Sequence, residues 1–82
     1  MNEEQHIKTD NYRTQYFSDE AMTVLHREDG PAVEYANGDN AWYLNGNRHR
    51  EGGPAIEDVD GHKEWWIDGV FVVDVVKLGH KA

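Results

Sequence analysis

An internal repeat with a period of 23 residues constrains the fold of this protein more than any other feature. When residues 25–47 are aligned with residues 48–70, ten of the 23 positions are identical and five more carry similar side chains. The identical pairs are His26/His49, Arg27/Arg50, Glu28/Glu51, Gly30/Gly53, Pro31/Pro54, Ala32/Ala55, Glu34/Glu57, Gly38/Gly61, Trp42/Trp65 and Gly46/Gly69. Such a period is typical of one small supersecondary unit repeated in tandem. We predict one domain with a capping segment over 1–24, units over 25–47 and 48–70, and a degenerate cap over 71–82.

Four Asn-Gly or Asp-Gly pairs divide the units into short segments, at Asn37-Gly38, Asn45-Gly46, Asp60-Gly61 and Asp68-Gly69. These pairs favour two-residue type I′ turns, in which both central residues need a positive φ. The segments between them have the length of strands and are too short for helices. We predict strands over 32–36, 39–44, 47–50, 55–59, 62–67 and 70–73. The predicted fold is an all-β, antiparallel β-meander.

Two-residue loops would determine the register of each hairpin. The predicted cross-strand pairs are Val33 with Trp42, Trp42 with His49, Ile56 with Trp65, Trp65 with Val72, Asp58 with Lys63 and Glu57 with Glu64. Because side chains alternate between faces, the predicted core face carries Val33, Trp42, Leu44, Ile56, Trp65 and Ile67. The opposite face carries Tyr43, Trp66 and Phe71 among Glu34, Glu57 and Glu64.

The two ends of the sequence are less constrained. Residues 12–17 and 22–27 can form a hairpin around Asp19-Glu20, which we favour because it would pair with the first unit. The alternative is a helix over 18–27 with Ser18 as its N-cap. Residues 1–10 are expected to be an arm, either mobile or covering a sheet edge. Residues 74–78 are expected to be a strand end or a single helical turn.

The composition limits the classes of partner. The 82 residues include 16 acidic and 8 basic ones, which gives a net charge of −8. A field of this sign repels phosphate backbones and anionic lipids, so we expect no direct binding to nucleic acid or to a membrane. There is no cysteine, which excludes disulfides and thiolate chemistry. The sequence has no apolar run long enough to span a membrane and no signal peptide, so we expect a cytoplasmic protein.

The repeated His-Arg-Glu triplets at 26–28 and 49–51 are the first candidates for chemistry. A zinc site would need more ligands than two histidines, and His62 is the only further candidate. One period later the histidine position is Val72. We therefore interpret His26 and His49 as packing residues whose ring nitrogens bond to turn backbone.

The arginines of the same triplets, Arg27 and Arg50, are expected to brace the turn before Gly-Pro. Their predicted partners are Glu28, Glu34 or Glu51. The sequence has no nucleophile-elbow or phosphate-loop signature. We expect no enzyme activity, no cofactor and no metal.

The second unit concentrates acidic side chains. Between residues 51 and 74 there are seven acids and one base, Lys63. One interpretation is a solvated face that keeps open sheet edges from aggregating. The other is an electrostatic surface for a basic groove of a partner protein, one that normally holds nucleic acid, with aromatic anchors inside an acidic rim. The predicted partner-binding residues are Tyr43, Glu57, Asp58, Glu64, Trp66, Asp68 and Phe71.

The segments His-Arg-Glu-Asp-Gly-Pro-Ala from residue 26, Glu-Tyr-Ala-Asn-Gly from residue 34 and Trp-Tyr-Leu-Asn-Gly from residue 42 resemble the MORN-variant repeats. The resemblance is closest to the short tandem-repeat proteins common in bacteriophage genomes and in some bacteria, and it covers residues 25–73. It implies an open, twisted single-layer sheet of stacked repeats and no catalytic residues to carry over. The relatives have more units than the two found here.

The resemblance also implies a function by class. Small acidic phage proteins are often inhibitors, so we expect a non-catalytic, phage-encoded accessory factor acting in the host cytoplasm. Its partner would be a host defence or nucleic-acid-handling protein. The alternative is a structural module that self-assembles through its open sheet edges, for example as a homodimer.

Overall fold

The computed structural model describes residues 6–72, and these form an all-β, antiparallel fold without a helix. The strands are β1 (His6–Thr9), β2 (Arg13–Phe17), β3 (Val33–Tyr35), β4 (Asn40–Ala41), β5 (Tyr43–Leu44), β6 (Asn47–Arg48), β7 (Ile56–Glu57), β8 (Lys63–Ile67) and β9 (Val70–Val72). Seven of them form one open sheet in the order β1-β2-β3-β4-β7-β8-β9, and β5 with β6 forms a two-stranded ribbon. The predicted all-β meander in an open sheet is confirmed. The predicted strand end or helical turn at 74–78 lies outside the described residues.

Two of the four Gly turns are the predicted type I′ turns. Asn45 and Gly46 have φ values of 53° and 83°, and Asp68 and Gly69 have 51° and 82°. Both central residues are thus left-handed, as a two-residue I′ loop requires. The predicted pairing of Trp65 with Val72 across the second turn is confirmed.

The other two turns are longer than predicted. At Gly38 and Gly61 only the glycine has a positive φ, 103° and 99°. The amide of Tyr35 donates to the carbonyl of Asp39 at 2.9 Å, which leaves a three-residue loop. This geometry is a type I turn followed by a glycine bulge. The side-chain oxygen of Asn37 accepts the amide of Asp39 at 3.0 Å, a local bond that favours this loop over the I′ turn.

The extra loop residue shifts the register of β3–β4 and of β7–β8 by one. Val33 lies opposite Ala41, and Ile56 lies opposite Glu64. The predictions of Val33 opposite Trp42 and of Ile56 opposite Trp65 are therefore wrong. The predictions of Asp58 opposite Lys63 and of Glu57 opposite Glu64 are also wrong, because Lys63 lies opposite Glu57.

A shift of one residue moves side chains to the other face of the sheet. Residues that are directly opposite share a face, so one face, which we call the Trp66 face, carries Val33, Ala41, Ile56, Glu64, Trp66 and Phe71. The other, the Trp65 face, carries Glu34, Asn40, Glu57, Lys63, Trp65, Ile67 and Val70. The predicted core face is therefore wrong for Trp65 and Ile67, which are 41% and 40% exposed. Trp66 lies on the face of the buried Val33.

The predicted strand over 39–44 is divided at Trp42. The amide of Trp42 donates to the carbonyl of Ala55 at 2.7 Å, and its carbonyl accepts the amide of His49 at 3.1 Å. The predicted pairing of Trp42 with His49 is confirmed. Trp42 thus joins the seven-stranded sheet to the β5–β6 ribbon.

The segment before the first unit is a hairpin-like loop, and the alternative helix over 18–27 is wrong. Phe17 bridges Leu25, and the amide of Ser18 donates to the carbonyl of Val24. The hydroxyl of Thr23 and then the amide of Val24 donate to Asp19, and these bonds lower the pKa of the Asp19 carboxyl. On the N-terminal side, β1 pairs with β2, so His6–Thr9 covers a sheet edge.

The core is thin. The buried apolar residues within residues 6–72 are Phe17, Ala32, Val33, Ala41 and Ala55, and no large side chain there is completely buried. The radius of gyration is 14.0 Å, whereas a compact domain of this length has about 12 Å. The described part of the fold therefore rests on few buried apolar side chains.

Candidate functional site

A continuous line of side chains crosses the Trp66 face at the C-terminal end of the sheet. Trp66 lies opposite Phe71, with ring centroids 5.3 Å apart and an interplanar angle of 60°. The indole Nε1 of Trp66 donates to Glu64 Oε1 at 2.9 Å. Phe71 is 48% exposed, whereas Trp66 is half-buried. One ring is thus held in place while its neighbour is open to solvent.

Arg48, which was not predicted as a site residue, also contacts Trp66. Its guanidinium lies over the Trp66 ring at 4.8 Å from the centroid, and its Nε donates to Tyr43 Oη at 3.2 Å. Tyr43 and Arg48 are directly opposite in the β5–β6 ribbon. The Asn45-Gly46 turn predicts this pairing, so the signal was present in the sequence. Tyr43, Arg48, Glu64, Trp66 and Phe71 together are called the Trp66 surface below.

The acidic end of this surface contains a titratable cation. His62 Nε2 lies 2.8 Å from Glu64 Oε2. This hydrogen bond raises the pKa of His62, and the charges of Asp58 and Asp60 raise it further. The bond from His62, and then that from Trp66, lowers the pKa of Glu64. The negative charge at this end therefore depends on the protonation of His62.

The remaining predicted partner-binding residues lie in three different places. Glu57 is on the Trp65 face and pairs with Arg50 at 3.2 Å. Asp58 follows β7, and its backbone amide donates to the carbonyl of His62. Asp68 lies in the β8–β9 turn with its side chain largely exposed. The structure thus gathers Tyr43, Glu64, Trp66 and Phe71, places Asp58 at their margin, and separates Glu57 from them.

The histidines of the two triplets bind turn backbone, as predicted. The amide of Asn45 donates to His26 Nδ1 at 2.9 Å, and the amide of Asp68 donates to His49 Nδ1 at 2.9 Å. Because a backbone amide can only donate, Nδ1 must be the acceptor, and the neutral ring carries its proton on Nε2. Each histidine thereby fixes the following I′ turn.

The arginines of the triplets also make equivalent contacts. Nη1 of Arg27 donates to the carbonyl of Pro31 and to Glu34, both at 3.1 Å. Nη1 of Arg50 donates to the carbonyl of Pro54 at 3.1 Å and to Glu57 at 3.2 Å. The predicted brace before Gly-Pro is confirmed, and so is the pairing of Arg27 with Glu34. Arg50 pairs with Glu57, which was not among the predicted partners.

Within residues 6–72, no three histidine, aspartate or glutamate side chains are arranged to hold a metal ion. The same residues include no helix long and apolar enough to cross a membrane. Comparisons with protein-family models, with curated proteins and with solved structures found no match.

Proposed function

We propose that this protein is a non-catalytic module that binds a basic partner protein through the Trp66 surface. The observation that carries the proposal is the exposed ring of Phe71 packed on a Trp66 ring that Glu64 and Arg48 already hold. Aromatic anchors of this kind dominate many interfaces. An anchor that is ordered before binding loses little conformational entropy when the partner arrives.

The charge around this surface supports a basic partner. Asp58 and Asp60 lie beside it and form no ion pair within the described residues. The protein as a whole has a net charge of −8. Such a field speeds the encounter with a positively charged surface and disfavours acidic proteins.

The resemblance to phage MORN-variant proteins supports a finer proposal. The partner would be a host defence or nucleic-acid-handling protein of the host cytoplasm, whose basic groove this protein occupies. A groove that binds phosphate is positively charged, so an acidic protein with a flat aromatic surface is a suitable competitor. No catalytic step is part of this proposal.

The test is a pull-down with the tagged protein from bacterial lysate at about 50 mM and about 500 mM salt, between which charge screening rises severalfold. We expect one dominant partner at low salt and its loss at high salt. Asp58→Lys should weaken capture, whereas Glu20→Lys, with the same change of net charge at an exposed position outside the second unit, should not. An equal loss of captured partner with both variants, or capture that does not depend on salt concentration, contradicts the proposal.

A second candidate function is self-assembly, and the Trp65 face favours it. Trp65 and Ile67 of β8 and the 65% exposed Val70 of β9 form an apolar patch. Burial of this patch against a second copy would hold a homodimer with little dependence on salt. Sedimentation at low and high protein concentration separates the two functions. A binding module stays monomeric, whereas a self-assembling one increases in mass.

A further inference from the structure

The two triplet arginines differ in one contact, and the difference follows from one residue. Each guanidinium lies over an aromatic ring, Arg27 at 4.0 Å over Tyr16 and Arg50 at 3.8 Å over Trp42. In the first unit, Asp29 also accepts a bond from Nε of Arg27 at 3.3 Å. The equivalent of Asp29 in the second unit is Gly52, which has no side chain to offer.

The Nε side of Arg50 therefore has no hydrogen-bond partner within residues 6–72, although Nη1 has two. The Arg50 side chain is 30% exposed. It lines an open cleft of about 610 Å³ between the two triplet turns, together with Trp42 and Leu44. The charged residues of both triplet turns line the same cleft, namely Arg27, Glu28, Asp29 and Glu51 beside Arg50. Arg50, whose Nε donates to no partner within residues 6–72, thus lines a space large enough for a side chain or a short peptide end.

His49 supplies a second donor to the same cleft. It is only 8% exposed, and the amide of Asp68 fixes its proton on Nε2. The nearest carboxylate oxygen, Oε2 of Glu51, is 3.5 Å from Nε2, longer than an ordinary hydrogen bond. The Glu51 side chain is almost fully exposed, so it can turn away from the cleft at little cost.

We infer that the cleft is a carboxylate-binding site centred on Arg50. Nε and Nη2 of a guanidinium present two parallel N–H groups that match the two oxygens of a carboxylate. The first unit shows part of this arrangement within the same molecule, because one carboxylate oxygen of Asp29 accepts the Nε–H of Arg27 at 3.3 Å. The stack on Trp42 and the bonds of Nη1 hold the Arg50 fork in one orientation before a ligand arrives. The ligand is an aspartate or glutamate side chain, or the C-terminal carboxylate of a polypeptide.

The inference does not depend on the Trp66 surface, and its test uses the arginine resonances directly. Sodium acetate is titrated into the labelled protein while the Nε–Hε signals are followed by NMR, with sodium chloride as the ionic-strength control. We expect the Arg50 signal to shift and saturate with acetate alone, and the Arg27 signal to stay in place. No acetate-specific shift at Arg50, or equal shifts at both arginines, overturns the inference.

Asp29→Gly is the matched variant. It removes an exposed side chain and gives the first unit the residue that the second unit has at this position. The Arg27 signal should then respond to acetate as that of Arg50 does. If acetate does not shift the Arg27 signal in this variant, a free Nε is not sufficient for carboxylate binding and the inference is contradicted. The chemical shifts of the other residues report whether the variant keeps the fold.

Three short peptides identify the source of the carboxylate. One has a free C-terminus and no acidic side chain, the second is the same peptide amidated, and the third is amidated with one glutamate. A shift of Arg50 with the first alone indicates a polypeptide end, and a shift with the third alone indicates a side chain. A comparable shift with the second peptide, which has no carboxylate, would overturn the inference.

Discussion

At the scale of the residue, arginine covers apolar surface that a large core would cover in other proteins. Arg27, Arg48 and Arg50 each lie over an aromatic ring at 3.8–4.8 Å. Such contacts occur about once per 70–80 residues, and here three fall within residues 6–72. A guanidinium lying flat on a ring covers apolar area while its N–H groups remain bonded. This suits a thin sheet with no completely buried large side chain in its described part.

The two repeat-equivalent tryptophans should therefore differ in their contribution to stability. Trp42→Ala removes the ring beneath Arg50 and should cost about 3–4 kcal/mol. Trp65→Ala removes a ring on the exposed patch and should cost about 1–2 kcal/mol. Urea unfolding of both variants measures the difference. Equal losses would show that Trp65 is as well covered in solution as Trp42.

This difference could not be predicted from the sequence. Identical residues in equivalent positions predict identical burial, and Trp42 and Trp65 are one of the identical pairs. What differs is the neighbour, because a second unit follows Trp42 and supplies Arg50 and Ala55. Within residues 6–72 no equivalent arginine covers Trp65, and the residue one period after Arg50 is Val73. The contacts of His26, His49 and Arg27 were predictable from the sequence, because the partners of each lie within its own unit.

At the scale of the element, four similar dipeptides form two kinds of turn. The turns at 45–46 and 68–69 are two-residue loops stabilised by a histidine ring that accepts the turn amide. In the turns at 37–38 and 60–61, the side-chain oxygens of Asn37 and Asp60 instead accept the amides of Asp39 and His62. The sequence predicted that the backbone turns at all four places. It did not predict the loop length, which depends on these bonds, and the length decides which face Trp66 and Glu64 occupy.

The two bulged turns offer a matched pair of substitutions. Gly38→Ala and Gly61→Ala both place an L-residue at a φ near 100°, which should cost about 1–2 kcal/mol. A Cβ at Gly38 would also lie 2.6 Å from Cγ1 of Val59, whereas one at Gly61 meets nothing within 4 Å. Gly38→Ala should therefore be the more damaging by about 1 kcal/mol or more. Thermal unfolding measures the difference in stability between the two variants. This difference should disappear when Val59→Ala is also present. If it persists, the contact with Val59 is not its cause.

The contact between His62 and Glu64 should make stability depend on pH in a defined window. The raised pKa of His62 contributes stability below the ordinary histidine value of 6.5, and this is lost as pH rises through the raised pKa. The lowered pKa of Glu64 contributes above the ordinary value of 4.5, and this is lost as pH falls through the lowered pKa. Both contributions are present together between pH 4.5 and 6.5.

The measurement is the urea midpoint against pH for the wild type and His62→Gln. The wild type should exceed the variant most within that window, by a small margin because the pair is exposed to solvent. A difference that is constant over the pH range would show that the pair is not formed. The affinity for a basic partner should increase as pH rises above the raised pKa of His62, because His62 then loses its positive charge.

At the scale of the whole molecule, the protein is elongated, with principal extents of 46 × 28 × 19 Å, and its described strands form an open sheet. An open sheet leaves both faces near the C-terminal end accessible, one aromatic with an acidic margin and the other apolar. The all-β class and the meander were predictable from strand lengths and turn residues. The difference between the two faces was not, because it depends on register.

Small-angle X-ray scattering should give a radius of gyration close to the 14.0 Å of the structure. A value near 12 Å, which a compact domain of about this length would show, would contradict the open sheet. A markedly larger value that grows with protein concentration would support assembly through the Trp65 face. A monomeric value at all concentrations is the result expected of a binding module.

The central claim is that a partner is bound on the Trp66 face, and neighbouring residues of β9 test it. Phe71 and Val70 are both exposed but lie on opposite faces of one strand. The measurement is the affinity of the captured partner for Phe71→Ala and for Val70→Ala, by calorimetry at low salt. The account predicts a loss of about tenfold or more for Phe71→Ala and little change for Val70→Ala. An unchanged affinity for Phe71→Ala, with the loss at Val70→Ala instead, would contradict it.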